Sequence, residues 1–546
     1  MKQWRVLAAM GFALAGWLAW GQQAPPAHRE APDDPYRPNT GGIAPAGGNL
    51  VQRGPYVSRQ VNVSATGANI TGDAANEPSI AMDPTNPNRL VIAWRQFDTI
   101  TSNFRQAGWA YSHDGGLTWT FPGVLEPGVF RSDPVVRADS NGVFYYMSLR
   151  GDFTCQVFLS RDGGVTFPER YDAYGGDKEW FTIDLTGGIG HGNLYLAWST
   201  AASSTGNRIF TRSTNGGTAW MNPISIPSSP IWGTLAVDAD GTLYIGGVSS
   251  SQWPDFYLAR SSNARDRTQT PTFDLYRRVE LNGRLVYGAG PNPGGLLGQV
   301  WIGVDRSGGA YHGRLYFLCS VDPPGIDPQD VYLAFSPDRG ATWSAPIRVN
   351  DDPPAANAWQ WFGTLAVAPN GRVDVIWYDT RNDPNGLLSE LRYTYSYDGG
   401  TTWAPSIPIS PAFHPHVGWP NQNKIGDYID MIALEAEALI AYAATFNGEQ
   451  DVYFVRVGDC NGNGIHDGLD IAERRSTDRN RNQIPDECET RPGDVNFDGC
   501  VNDADLLAVL FAFGQTGSGL MEDLNGDGEV DDADLLEVLF HFGDGC

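Results

Sequence analysis

From residue 56 to 458 the apolar residues fall in short runs separated by Gly, Pro, Asn and Asp: RLVIAW (89–94), VFYYMSL (143–149), NLYLAW (193–198), TLYIGG (242–247), RLYFLC (314–319), VDVIWY (373–378) and ALIAYAA (438–444). Runs of this length between turn residues predict strands. Each is preceded by a second such segment: EPSIAMD (77–83), DPVVRAD (133–139), EWFTIDL (179–185), WGTLAVD (232–238), VWIGVD (300–305), WFGTLAV (361–367) and DYIDMIAL (427–434). Seven repeats of one strand pattern predict seven antiparallel sheets stacked around an axis. The seventh ends at DVYFVRV (451–457) without a fourth strand, and VSRQVNV (57–63) is the segment that completes it and closes the ring. Closure leaves no edge for another chain to pair with.

An octapeptide recurs after the third strand of several units: SHDGGLTW (112–119), SRDGGVTF (160–167), STNGGTAW (213–220), SPDRGATW (336–343) and SYDGGTTW (396–403). Asp/Asn-Gly-Gly is tight-turn chemistry, in which Gly supplies positive φ and the side chain caps backbone N–H groups. The fourth unit keeps a degenerate version, SSNARD (261–266). These segments resemble the Asp-box of the sialidase superfamily, which implies a β-propeller with the boxes away from the channel mouth. Asp114, Asp162, Asp338 and Asp398 are therefore expected to cap turns. Sialidase propellers have six blades; the seven units here predict seven.

After Gly458 the chain becomes carboxylate-rich. DVNFDGCVNDAD (494–505) and DLNGDGEVDDAD (523–534) place Asp494, Asn496, Asp498, Asn502, Asp505 and Asp523, Asn525, Asp527, Asp531, Asp534 at loop positions 1, 3, 5, 9 and 12, with Gly at position 6. This is the ligand spacing of an EF-hand-like calcium loop. With LLAVLFAFG and LLEVLFHFG following, the pair resembles a type I dockerin, implying calcium and a docking partner such as a cohesin-like or cell-surface protein. DCNGNGIHDGLD (459–470) and DRNRNQIPDECE (478–489) resemble thrombospondin type 3 repeats, with Asp459, Asn461, Asn463, Asp467 and Asp478, Asn480, Asn482, Asp486 as ligands. A Cys460–Cys488 bridge is expected because so short a segment has almost no core, and a Cys500–Cys546 bridge because the ends of such a pair approach each other. Cys155 and Cys319 fall in different blades and are expected to be free.

The starts of the innermost strands line the mouth of a propeller channel. Here they bring Glu77, Asp133, Asp177, Lys178, Trp180, Trp232, Trp301, Trp361, Asp427 and Tyr428. Carboxylates beside indole faces are the composition of a sugar site. Glu77, Asp133 and Asp177 are the expected acid/base groups, Tyr428 and Arg381 are expected to engage substrate, and Arg95 and Arg131 are further substrate-binding candidates. The Arg-Ile-Pro motif of sialidases is absent, the first strand reading NEPSIAMDP. No P-loop, zinc cluster or nucleophile elbow occurs.

Composition sharpens this picture. Aromatics reach 12% against 18% charged residues, with 65 Gly and 37 Pro, which excludes a disordered chain and a helical bundle. Of the net charge of −26, residues 459–546 carry −16, with 21 acidic residues against 5 basic, so the acidity is local and a nucleic-acid partner is excluded. Lys2 and Arg5 before the apolar run 6–20 read as a signal peptide (1–21), which predicts secretion or cell-surface display and no membrane span in the mature chain. A Pro/Gly-rich linker follows (22–55), then the propeller (56–458), the thrombospondin-like segment (459–492) and the dockerin-like domain (493–546). The expected function is a secreted glycoside hydrolase-like protein acting on extracellular glycans, with a non-catalytic glycan- or protein-binding propeller as the alternative.

Overall fold

The computed structural model describes residues 34–44, 49–354, 356–489, 491–496, 499–517, 520–525 and 527–545. The expected signal peptide, Asp498 and Cys546 lie outside them. Seven antiparallel sheets follow one another along the chain and form a closed seven-bladed propeller. The first blade, Ala74–Met82, Leu90–Phe97, Gln106–Ser112 and Thr120–Val124, sets the pattern: four strands in up-and-down order from the axis outward.

The last blade is built from both ends of the domain. Asp430–Ala433, Ala438–Ala444 and Asp451–Val457 are joined by Tyr56–Gln60, with Arg59 opposite Phe454 and Gln60 opposite Tyr453. Leu50–Arg53 then adds a fifth strand, so strand structure begins six residues before the expected boundary at 56. The seam is a buried polar network: Asn62 Nδ2 donates to Asp451 Oδ1 at 2.8 Å and Asn447 Nδ2 to Asp451 Oδ2 at 3.1 Å. Burial pushes the Asp451 carboxyl up to about 7, although Asn62 and Asn447 work against the shift.

Strand register places the boxes. Met82, the end of the first inner strand, is opposite Leu90, and Leu90 is opposite Ser112, the first box residue. The boxes therefore lie at the opposite end of the blades from Glu77. In each Asp box the carboxylate works within its own turn: Asp162 Oδ1 accepts from Ser160 Oγ (2.7 Å) and Thr166 N (3.0 Å), and Oδ2 from Thr166 Oγ1 (2.6 Å). The second glycine is left-handed and also has no room for a side chain, because a neighbouring blade packs against it. A Cβ on Gly164 (φ 88°) would lie 2.3 Å from Val91 of the first blade, and one on Gly116 (φ 89°) 2.2 Å from Phe454 of the last.

Cys460 and Cys488 form a disulfide, and Cys155 and Cys319 are buried free thiols. Cys500 is also disulfide-bonded; its expected partner Cys546 is outside the described residues. The 459–489 segment packs onto the propeller. His466 is buried against Tyr393 and Tyr395, with its Nε2 2.9 Å from the Tyr393 hydroxyl, and Ile484 joins the apolar cluster of the last two blades. Helices Asp503–Ala512 and Asp532–Phe540 pack through Val509 and Val538. No described helix is long and apolar enough to cross a membrane.

Candidate functional site at the channel mouth

A shared backbone device builds the mouth. Glu77, Asp133, Lys178, Trp232 and Phe362 all have φ between 48° and 59°, and Gly426 has φ 96° in the last blade. Glu77, Asp133 and Phe362 lie within the first half of an inner strand, where the register breaks as in a β-bulge, and Lys178, Trp232 and Gly426 lie just before one. A left-handed non-glycine residue costs about 1 kcal/mol or more, and the surrounding structure must hold it there. The kink turns the side chain out of the pleat. In the first three blades this aims Glu77, Asp133 and Lys178 at one another.

The result is a buried charge network. Lys178 Nζ lies 2.6 Å from Asp427, 3.5 Å from Asp177 and 3.6 Å from Asp133. Lys424 Nζ lies 2.6 Å from Asp427 and 3.6 Å from Glu77, whose other oxygen is 3.0 Å from Arg95 Nε. Arg95, Glu77 and Asp133 have no exposed surface, and Asp177 and Asp427 have 2% and 1%. Burial raises Glu77 to about 8, despite Arg95, so it holds a proton at neutral pH. Burial also opposes ionisation of Asp133, but the Lys178 charge and its backbone N–H, 2.8 Å away, bring that carboxylate down to about 2. Asp427 is held well below the ordinary range by Lys178 and Lys424 against its own burial.

Two members of this group escaped the sequence reading: Lys424 precedes the seventh inner strand on a loop, and Arg105 approaches from the first blade. Glu179, just before the third inner strand, lies behind Lys178, pushed well up by burial. Nothing local marks the two cations; their partners are supplied by the ring.

Beneath the charges the channel is plugged. Trp180 packs edge-on to both Trp301 and Tyr428, each at 5.2 Å, and the Tyr428 hydroxyl donates to the Pro134 carbonyl at 2.8 Å. Burial first, then the Glu77 and Asp133 charges, pushes the Tyr428 phenol far up, the opposite of what a nucleophile needs. Above the charges lies the hairpin Tyr287–Ala289 and Asn292–Leu296, an insertion before the fifth blade. Asn292 Oδ1 accepts from Ile425 N (3.0 Å), its Nδ2 donates to Gly426 O (2.8 Å), and Leu296 N donates to Asp427 Oδ1 (2.8 Å). A cavity of about 270 Å³ remains between hairpin and mouth, bounded by Asp177, Lys178, Lys424, Asp427, Trp232 and Tyr287. Trp232, Trp253 and Tyr287 form an aromatic trio there, with ring centres 5.5 to 6.2 Å apart.

Other expected residues lie elsewhere. Arg381 is held by Asp379 (2.8 Å) and Asp351 (2.6 Å) between the fifth and sixth blades, and Arg131 pairs with Glu126 and packs over Phe158. Trp361 is fully buried against Phe362 and Tyr378. The ring brings none of these three to the Glu77 group. Near Arg381, Asp327, Asp330 and Asp352 converge closely enough to hold a cation, and the Arg348 guanidinium already lies 2.7 to 3.7 Å from all three.

The four carboxylate-rich loops share one geometry. The position-6 N–H donates to the position-1 carboxylate in each: Gly464 to Asp459 (3.0 Å), Gln483 to Asp478 (3.1 Å), Gly499 to Asp494 (2.9 Å) and Gly528 to Asp523 (2.8 Å). Every position-6 residue is left-handed, Gln483 included. Position 12 closes each loop. Asp505 Oδ1 accepts from Val495 and Asn496, and Asp534 Oδ1 from Leu524 and Asn525. In the first two loops that position is Asp470 and Glu489, both absent from the expected ligand set; Asn463 Nδ2 donates to Asp470 (2.7 Å) and Asn480 Nδ2 to Glu489 (3.2 Å). Asp467 Oδ2 and Asp470 Oδ1 are buried with no hydrogen-bond donor, which is the demand a calcium ion would meet.

No protein-family model and no curated protein matches this chain. Among solved structures it is similar to a Dyadobacter fermentans protein of unknown function, at 15% identity over 75% of this chain and 98% of that one, with TM-score 0.41. It is similar also to YCF48 bound to D1 peptide, at 14% identity over 76% and 98% with TM-score 0.39. A third is Trypanosoma rangeli sialidase, at 13% over 77% of this chain and 60% of that one, with TM-score 0.38. At such identities and TM-scores none of them assigns an activity to this chain.

Proposed function

We propose that this is an exported propeller that binds an extracellular glycan or glycoprotein at its mouth without turning it over. The observation that carries this reading is the pairing of the network: Glu77 and Asp133 are fully buried, and Asp177 and Asp427, which border the cavity under the hairpin, are engaged by Lys178 and Lys424, so no uncommitted carboxylate faces the cavity. The Trp232, Trp253 and Tyr287 rings beside two ammonium groups suit the C–H faces and acidic substituents of a sugar. One observation favours the glycoside hydrolase-like reading. A proton-bearing Glu77 near an ionised Asp133 is the split of pKa values that acid/base pairs use, and it requires the 287–296 hairpin to lift. The test is a glycan array beside a chromogenic-glycoside screen on the whole chain in millimolar calcium. Binding without turnover, weakened by Trp232→Ala, is the expected result; turnover abolished by Glu77→Gln would replace this reading with the hydrolase.

The 459–546 region we read as a calcium-dependent docking module. Asp459, Asn461, Asn463, Asp467 and Asp470 would hold one ion and the matching residues of the other three loops the rest, each ion neutralising carboxylates that otherwise repel. Leu507, Leu510, Phe511 and their counterparts Leu536, Leu539, Phe540 are exposed, Phe511 by 83% and Phe540 by 78%, and a cohesin-like or cell-surface protein is the partner this duplicated face fits. Chelation is expected to abolish the helical circular dichroism of the tail and leave the propeller's near-ultraviolet signal; loss of both signals together would refute a separate module.

A further inference from the structure

The Trp180, Trp301 and Tyr428 layer divides the propeller axis into two compartments. On the side away from the mouth lies a cavity of about 500 Å³ that opens where the boxes lie and shares no lining residue with the mouth cavity. All seven inner strands contribute to it, and Ile80, Ile183, Leu235, Ile302, Leu365 and Met431 are among the lining side chains, each under a tenth exposed, so that polar and apolar atoms share the wall. Its floor is Trp180 and Trp301 with the Arg137 guanidinium, which lies 5.2 Å from the centre of the Trp180 ring and is neutralised by Asp430 at 3.0 Å. Residues run along the strands at about 3.3 Å each, so Trp180 to Ile183 alone gives a depth of roughly 10 Å. Volume and depth are those of a small-molecule site.

A charged group stands at the rim. Arg306 follows the fifth inner strand, is exposed, lines the cavity and makes no hydrogen bond or ion pair among the described residues. The carboxylates nearest in electrostatic effect are Asp184 and Asp238; neither pairs with it, both accept hydrogen bonds within their own turns, and Asp184 Oδ2 is buried without a donor. Asp184 Oδ1 accepts from Thr186 N (2.9 Å) and Oγ1 (2.6 Å), and Asp238 accepts from Asp240 N (2.9 Å), Thr242 N (2.9 Å) and the Tyr244 hydroxyl (3.0 Å). A guanidinium is always charged and strongly prefers an oxyanion.

We propose that this blind axial pocket is a second binding site, independent of the mouth, for a single-tailed anionic amphiphile, with the tail against the strand wall and the carboxylate or sulfate on Arg306. The test uses the full chain in calcium, octyl sulfate below its micellar concentration, and titration calorimetry. One tight site per chain is expected, weakened roughly five- to tenfold by Arg306→Ala and restored by Arg306→Lys, while neutral octanol binds both proteins equally. The exposed apolar face of the tail is the competing binder, so Phe511→Ser/Phe540→Ser is measured alongside. Ala433→Phe, which narrows the pocket, is expected to abolish the tight site whether or not Arg306 is altered. Octyl sulfate binding that survives Arg306→Ala and Ala433→Phe but is lost in Phe511→Ser/Phe540→Ser would overturn the proposal, as would an absence of stoichiometric binding.

Discussion

Aspartate is used at both ends of the propeller strands, to opposite effect. At the box end Asp162 sits at a half-exposed turn and takes its hydrogen bonds from residues two before and four after it; burial works against its charge, and the Thr166 and Ser160 donors hold its carboxyl below the ordinary range. At the mouth Asp427 is buried, and its Lys178 partner is 249 residues away. The first arrangement is rebuilt by each turn alone. The second exists only when blades one, two, three and seven have closed around the axis, because no single blade could bear several unscreened carboxylates in a low-dielectric interior.

The largest expected separation of the two ends comes from Lys178→Ala. It leaves Asp133, Asp177 and Asp427 without their common cation, and a loss of about 3–5 kcal/mol at neutral pH is expected from denaturant unfolding. A loss under about 1 kcal/mol would mean that water reaches the network.

The pH dependence follows next. Glu77 (about 8) and Asp451 (about 7) bind protons more tightly in the folded propeller than in the unfolded chain. Their contribution to stability is therefore fully present below the unfolded value near 4 and is lost as pH rises to about 8. Carboxylates held low, such as Asp133, act in the opposite sense below that window. With calcium held constant, the melting temperature is expected to be highest near pH 5 and the stability to fall by about 2–4 kcal/mol by pH 8. A flat profile would place the titrating groups in solvent.

A smaller effect sharpens the contrast. In a double-mutant cycle, Lys178→Ala with Asp427→Asn is expected to depart from additivity by about 1–3 kcal/mol, whereas Asp162→Ala with Asp398→Ala, in different blades and sharing no partner, is expected to add within about 0.5 kcal/mol. The smallest is Asp162→Ala alone, which removes the cap of one turn and is expected to cost about 1 kcal/mol, equally at pH 5 and pH 8.

The same contrast explains what could be read from the chain. The sequence alone determined the seven repeated units, a closing strand read at 57–63 and found at 56–60, the five boxes, the free Cys155 and Cys319 and the Cys460–Cys488 bridge, because each rests on spacing within a few residues or on a count of units. It located the starts of the inner strands as the mouth and so found Glu77, Asp133, Lys178 and Asp427. Tertiary structure decided the rest. Lys424 and Arg105 carry no local signature, Arg381 and Arg131 were drawn to nearer carboxylates in other blade junctions, and the 287–296 hairpin became a roof only because Asn292 meets residues 425 and 426 across the axis. Whether a carboxylate is an exposed acid or a buried, proton-bearing one depends on dielectric surroundings and charges brought from blades far apart in sequence, and spacing along the chain does not encode either.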